Sequence, residues 1–566
     1  MRYGFLYPER FGGKAEAGFD NTAAFQAMFN LAAIRGNAPC VLSGMYEVHA
    51  PLLVPEGVKI MGATAGRDNI PTVGIRAAAP FSSTLTMTNY NSGTPETHDI
   101  AAVLISRGWV EGSSPAEGPI VMEDVFIGGG TILDDRNAPV HGVLLTNWPV
   151  RLTRVTVRNT TGFGVWMNSQ LPDGSFSTFT GNPVFTNCRV GNCGFTSGGT
   201  ALEYETQRGT FRYGAYHFGA FIGARNAGGE SEPPRNTDGV INSCVQALQC
   251  AGNGMTVSAG GGWLINDLHT NGPGGYGIMF DRAFFTRILN SYLDGFCTTV
   301  PDGYGRRANV RVNTLLGIND EGEAQGLLLV SNNVMRLRTL PSTSETAYYV
   351  SVSASGNPAC RFVAVGNATA RQKDVTDDVK GFQITGSGAD PQLHVTLVGN
   401  DLSDVPASDT FNTFGDAVVS VRQSGNSWQY QAARPTSGYW PEGTTVFASD
   451  VSDASLLGWV RTERGGNPGA LNWRPMESFI VRTAANGATT PDVTHANMVI
   501  LNNSAATSIT NFTNALEGQR LTVMSLTVHS TLVQGANLKM RSGADVTLGA
   551  EAALTLVRRG TRWYEA

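Results

Sequence analysis

The chain has 566 residues and a formal net charge of −6 at pH 7, with 40 Lys and Arg against 46 Asp and Glu. No Lys/Arg block is present, so the electrostatic footprint of a nucleic-acid or anionic-membrane binder is missing and neither partner is expected. No apolar run reaches membrane-spanning length, MRYGFLYPERFGG at the start lacks the hydrophobic core of a secretory signal, and the seven cysteines carry no paired C-x-x-C spacing, so no metal or other cofactor is expected.

The first predicted element is a helix over 20–35, in FGGKAEAGFDNTAAFQAMFNLAAIRG. Asp20 can accept first-turn N–H groups, Ala24, Phe25, Met28, Phe29 and Ala32 form one apolar face, and Gly36 can close the C-terminus. Short strands follow in VLSGMYEVHAPLLVPEGVKIMGA, punctuated at Ser43-Gly44, Pro51 and Pro55-Glu56-Gly57.

Further on the chain returns repeatedly to an apolar–Asn/Gly–apolar unit: FTNCRV at 185, VINSCV at 240, LINDLH at 264, RILNSYL at 287, LVSNNVM at 329, AVGNATA at 364 and LVGNDLS at 397. Asn242, Asn266 and Asn290 are 24 residues apart. A second line runs beside it, with GFGVWM at 162, GGTALEY at 198, GNGMTV at 252, GYGIMF at 275 and AQGLLLV at 324. Twenty-odd residues holding two or three strands and turning at Asn and Gly make one coil of a parallel β-helix, because both residues tolerate the left-handed backbone of a tight corner. Cys188, Cys193, Cys244 and Cys250 recur at similar places and read as small residues stacked inside the coil. An open coil end exposes unpaired strand edges, so the helix is expected to be the N-terminal cap.

The segment FGGKAEAGFDNTAAFQAMFNLA with VLSGMYEVHAPLLVPEGVKIMGATAG resembles the N-terminal signature of pectate lyase-like (pectin lyase-like) right-handed β-helix proteins. YWPEGTTVFASD with LGWVRTERGG, and the tail from Asn502 to Ala566, are similar to modules that follow the β-helix in bacteriophage tailspikes. The expected division is a capped, right-handed parallel β-helix over 1–430, a connecting module over 431–476 and a β-sandwich-like domain over 477–566, serving trimerisation or carbohydrate binding. The resemblance implies a homotrimer on the phage tail, docked to another tail or baseplate protein, that cleaves capsule or O-antigen polysaccharide at the host surface. With no head-binding module recognised before the cap, the expectation is a shortened chain or a spike that docks onto another protein.

If Gly199, Gly254 and Gly277 occupy equivalent corners, Glu203, Ser258 and Asp281 stand on one outward ladder, and Glu205 lies on the face of Glu203. Glu203, Glu205 and Asp281 are therefore the candidate catalytic carboxylates for glycoside hydrolysis, which needs an acid and a base about 6.5–9.5 Å apart for inversion. Solvated surface carboxylates give the same pattern. An expected insertion over 205–238 supplies aromatic and cationic groups for a glycan groove or a subunit interface. Arg208, Arg212, Tyr216, His217 and Arg282 are candidate substrate ligands, with Trp166 and Trp263 as outward stacking platforms, although Trp166 suits a coil corner equally. His217, Tyr216, Arg208 and Arg282 could instead serve a β-eliminating lyase. Asp134 and Asp135 read as a turn, and His141 and His269 as structural. A fructan-converting transferase and a non-catalytic adhesin are the remaining alternatives.

Overall fold

The computed structural model describes residues 4–566 apart from 65–70, 80, 82–84, 92–93, 112–117, 130–138, 147–148, 177–181, 197, 207–208, 221–235, 295–306, 317–325, 338–346, 356–359, 372–378, 388–392, 404, 406–410, 415–417, 425, 427–429, 432–444, 449–455, 462–472, 478–480 and 495. For some strand residues, Glu205 among them, it describes the backbone alone. The chain divides into two units, Met1–Ser427 and Trp428–Ala566.

In the first unit, successive short strands fall onto three sheets in rotation. Among the described residues, the first face has 12 strands from Cys40–Leu42 to Val418–Ser424, and the second has 10 from Met45–Val48 to Ala368–Arg371. The third runs from Leu52–Val54 to Phe411–Phe414. Leu264–Asn266, Leu268–Asn271 and Ile278–Phe284 make one such coil. Rungs are parallel and join each residue to its equivalent one coil away, as Ile278 lies beside Met255 and Val310. The architecture is a right-handed parallel β-helix, the hand that parallel strand connections favour. Its core is a set of columns, one of which stacks Val165, Tyr216, Met255, Ile278, Val310, Val350 and Phe382, all buried.

The corner between the first and second faces explains the Asn/Gly repeat. Asn187, Asp267, Asn290, Asn332, Gly366 and Gly399 all have φ between 50° and 63°, the left-handed conformation that Asn, Asp and Gly tolerate best. The next residue in the later coils is a buried Asn. Asn333 donates to Asn367 Oδ1 at 2.9 Å, Asn367 to Asn400 at 2.8 Å and Asn400 to Asn426 at 3.0 Å. Their amides also donate to coil carbonyls such as Val330 O and Ala364 O, so the buried donors are satisfied. Outside, Asn266 and Asn290 donate to Asn242 and Asn266 at 2.8 Å, a second ladder along the 24-residue spacing. Cys188, Cys193 and Cys250 are buried in the coil as expected, whereas Cys244 is only half-buried. Burial pushes the Cys188 and Cys193 thiols up to about 12, so they are inert small hydrophobes at neutral pH.

The second unit ends in a β-sandwich. A six-stranded sheet that includes Met498–Leu501, Arg520–Ser525 and Ala552–Arg559 shares one core with the three strands Thr507–Ile509, Ser530–Leu532 and Val546–Leu548. Val499, Leu521, Val523, Leu556 and Trp563 meet Ile509, Leu532 and Leu548 there. A four-stranded sheet from Tyr430–Gln431 to Trp473–Glu477 precedes it in the chain.

The predicted helix spans Thr22–Ile34 and buries Ala24, Phe25, Met28, Phe29 and Ala32. Asp20 Oδ1 accepts the Thr22 N–H at 2.9 Å, and Gly36 follows with φ 69°. At this end each face meets a partner for its edge. Val41 N–H donates to Leu6 O on the first face at 2.8 Å, and Asn21 N–H to Glu47 O on the second at 2.9 Å. On the third, the Gln26 side-chain amide donates to Leu53 O and accepts the Leu53 N–H, both at 3.0 Å. The helix thus covers the apolar end while its flanks and one side chain satisfy strand edges that would otherwise template aggregation. A chain lacking residues 1–36 should therefore accumulate as aggregate. Gln26→Leu should stay soluble but melt lower, since each stranded backbone group costs about 1–3 kcal/mol. A soluble, cooperatively melting 37–566 chain would contradict the capping role.

Candidate functional site

The third face carries an outward column of unusual length. In register it reads Ile105, Leu144, Trp166, His217, Thr256, Met279, Arg311, Ser351 and Gln383. Its early part is apolar, and Ile105, Leu144 and Trp166 share a hydrophobic cluster with Met87, Trp109, Leu202 and Tyr213. Those four come from the Leu85–Asn91 strand, the Arg107–Glu111 helix and the flanks of a hairpin, elements laid over the outside of the sheet.

Trp166 is consequently no stacking platform: it is buried and donates from Nε1 to Gly219 O at 2.9 Å. Trp263 is also buried, with its ring 4.8 Å from Phe218. Two histidines lie in the same aromatic layer. His141 stands 4.9 Å from Trp166 and accepts the Phe163 N–H at Nδ1 at 2.8 Å, which leaves its own proton on Nε2. His217 lies 4.5 Å from Phe163 and its Nε2 bonds Ala220 O at 2.8 Å. Burial, with His217 next to it, holds His141 down to about 3, and burial holds His217 down to about 4 against the opposing bond to Ala220. Tyr216 faces the coil interior and donates to Gln246 O at 3.1 Å. Neither Tyr216 nor His217 is presented to a glycan.

The expected ladder of Glu203 with Asp281 does not form. Glu203–Thr206 pairs antiparallel with Gly209–Arg212 in a separate two-stranded hairpin, with Glu203 opposite Arg212. On the third face the equivalent of Met255 is Tyr216, so YGAYHF at 213–218 is the true coil unit and lies inside what the sequence reads as an insertion. Two of the three glycines in the expected alignment differ physically. A Cβ on Gly254 would meet Gly277 O at 2.7 Å, whereas a Cβ on Gly199 would meet nothing within 4 Å. Likewise AQGLLLV belongs to a first-face strand, Leu327–Ser331.

Glu203 is half-exposed and paired with Arg212, whose Nε and terminal nitrogen both reach Glu203 Oε1, at 3.0 and 2.7 Å. The Glu205 backbone continues that hairpin, opposite Thr210, while its side chain and the whole of Arg208 lie outside the described residues, as do Asp134 and Asp135.

Asp281 stands on the third face between the registered pairs Val257–Phe280 and Ala259–Arg282, beside Ser258. It is 6% exposed and accepts the Asn313 side-chain amide at 3.2 Å. Asn313 Oδ1 accepts Arg311 Nε at 2.8 Å, Arg311 Nη1 donates to Ser351 Oγ, and Ser351 donates to Gln383 Oε1 at 2.8 Å. One hydrogen-bonded chain thus crosses four coils, from a carboxylate through an amide and a guanidinium to a hydroxyl and a second amide. Arg282 is half-buried, in register with Thr314 at the edge of this array. Arg311, Asn313, Ser351 and Gln383 escaped the sequence reading; the signal was alternation, since Arg311 and Asn313 interleave with the buried Val310 and Val312. Among the described residues no group of three or more His, Cys, Asp or Glu could hold a metal ion, and no helix is long and apolar enough to cross a membrane.

Residues 481–564 match the family model of the phage depolymerase C-terminal beta sandwich domain. No curated protein matches the chain in sequence. Similar solved structures include the Dettilon tailspike protein, at 12% identity and TM-score 0.33, over 74% of this chain and 68% of that one. A family 28 exopolygalacturonase of Yersinia enterocolitica is similar at 10% and 0.35, over 75% and 78%. The A-module of the Azotobacter vinelandii mannuronan C-5 epimerase AlgE4 is similar at 12% and 0.31, over 75% and 95%.

The buried histidines make stability acid-sensitive in a defined window. Both are neutral in the folded state down to about 4 or below, whereas an unfolded histidine protonates near 6.5, so stability is full above about pH 6.5 and declines as pH falls towards the folded values. At pH 5 each contributes a loss of about 2 kcal/mol. Urea unfolding at pH 7.5 and pH 5 should show a smaller difference in the His141→Gln/His217→Gln variant than in the parent. An equal difference in both proteins would contradict this reading.

Proposed function

We propose that this chain is a bacteriophage tailspike depolymerase that cleaves bacterial capsule or O-antigen polysaccharide by glycoside hydrolysis on the third face of its β-helix. The observation that carries the reading is the match of 481–564 to the phage depolymerase C-terminal domain in a chain whose β-helix bears the buried Asp281–Asn313–Arg311 array. With it go a homotrimer, a place on the virion tail through another tail or baseplate protein, and the division at 1–430, 431–476 and 477–566. No cofactor is required.

In this reading Asp281 is one catalytic carboxylate. The Asn313 amide orients it, and Arg311 holds that amide in the one direction that leaves its N–H pointing at Asp281. Asparagine fits this relay because its carbonyl can accept from the guanidinium while its NH₂ donates to the carboxylate. Glu203 and Glu205 on the hairpin remain the candidates for the second carboxylate that hydrolysis requires, with Arg212 as the charge partner of Glu203. Arg282 is kept as a substrate ligand at the array's edge.

One observation favours β-elimination as a second reading: a buried guanidinium two hydrogen bonds from a carboxylate could neutralise a uronate and make its neighbouring C–H acidic. The base would then have to be found elsewhere, since Tyr216 and His217 are buried. Products from purified capsules and O-antigens separate the readings, because elimination leaves an ultraviolet-absorbing unsaturated uronate and hydrolysis leaves none. Asp281→Asn should keep the parent's melting temperature and polysaccharide binding and lose about 10²–10⁴-fold in rate. An Asp281→Asn chain that degrades polysaccharide at the parent rate would remove the third-face array from the mechanism.

A further inference from the structure

The second face carries a ladder of its own, in the same coils as the array. Arg189, Gln246, His269 and Tyr292 stand in register on four consecutive coils. Their outward orientation follows from the alternation with buried Val190, Ala247, Thr270 and Leu293. The Asp281 coil contains His269, and the Arg311 coil contains Tyr292. This ladder is more exposed than the Asp281 array on the third face. The His269 side chain is 40% exposed, Tyr292 is half-buried, and Val334 on the next coil is 41% exposed.

The groups are also held in place. Arg189 Nε donates to Gln246 Oε1 at 2.6 Å, and His269 Nε2 lies 3.4 Å from Asp267 Oδ1. Asp267 is itself fixed by the Cys244 N–H on Oδ2 at 2.7 Å. The His269 ring stands 5.8 Å from Tyr292 at 57°, so the two form an angled aromatic step. Two cations and two carboxylates balance here, Arg189 and Arg336 against Asp267 and Asp294, with Asp294 3.9 Å from Arg336. Alternating donors and acceptors with an aromatic face and an exposed valine suit a hydroxyl-rich sugar better than a polyanion or an apolar peptide. The step from rung to rung is ~4.8 Å, set by sheet spacing, which is close to the span of a sugar ring in an extended chain.

We infer that this second-face ladder is a separate binding site for neutral, hydroxyl-bearing stretches of polysaccharide, resting on the glycan-degrading function proposed above. A polymer long enough to engage both faces is held by two sites at once, and the second engagement is intramolecular. A short oligosaccharide reaches one site only. The ladder therefore raises affinity for polymer and leaves turnover of short fragments alone.

The experiment uses a panel of purified bacterial capsular and O-antigen polysaccharides, with immobilised polymer and short fragments prepared from each one bound. The full chain is compared with His269→Ala/Tyr292→Ala and, as a milder second variant, Arg189→Ala, each checked for an unchanged melting temperature. The ladder variants are expected to lose roughly tenfold or more in affinity for polymer, while kcat and KM on short fragments stay at parental values. Parental polymer affinity in both ladder variants overturns the site. A loss of fragment turnover together with polymer affinity assigns these residues to the single catalytic groove and overturns it as well. Binding of no polysaccharide by the parent chain overturns the functional reading itself, a failure distinguishable from the other two.

Discussion

Each backbone hydrogen bond of the long sheets ties a residue to its equivalent one coil away, and everything on the flanks of the first unit depends on that register being kept. Three short strands per coil leave little length to define it, so the corners do. The left-handed residue at the first corner and the buried Asn after it fix where every later coil turns. An Asn in this ladder satisfies its neighbour's amide, its own and a carbonyl of the adjacent coil, so a slip of one residue would strand several buried polar groups together. That penalty makes the stack specific, whereas apolar columns alone would tolerate sliding.

With register fixed, the third face can be divided along its length. Early coils place Ile105, Leu144 and Trp166 outward and seal them beneath a helix, a strand and a hairpin, which keeps the histidines neutral. Later coils place Arg311, Ser351 and Gln383 in the same column, and there the buried polar groups answer one another in a chain that ends on Asp281. A buried guanidinium is costly unless hydrogen-bonded on several sides. A column that changes from sealed and apolar to buried and polar marks where the scaffold gives up easy packing, which is the behaviour expected of a working surface rather than of a spacer.

The corner chemistry was legible in the sequence because Asn and Gly at fixed intervals have few other uses, and it carried the β-helix with buried Cys188, Cys193 and Cys250, while the helix was legible from its own apolar face. The site was only partly legible. GGTALEY imitates a coil unit, yet it leads into a hairpin, and the real unit, YGAYHF, carries Ala215 where its neighbours carry Gly. Ala fits because that corner needs small size more than a left-handed backbone. Glycine counting therefore moved Glu203 onto a ladder it does not join and put Tyr216 and His217 in an insertion, while Trp263 was expected as an outward platform and Trp166 as either that or a corner cover. The third-face strand position of Asp281 was legible because its coil has no insertion before it. Its partners Arg311 and Asn313 were hidden because a polar residue alternating with valine reads as ordinary solvent-facing strand, and its burial depends on elements distant in sequence.

The most direct measurement is a structure of the Asp281→Asn chain with a bound polysaccharide fragment long enough to span several coils. The account predicts density along the third face, with a glycosidic bond beside residue 281 and sugar hydroxyls or a carboxylate within hydrogen-bond reach of Arg282 or the Arg311 array. A fragment whose scissile bond lies against the first face, or at the terminal β-sandwich with the third face bare, would contradict it.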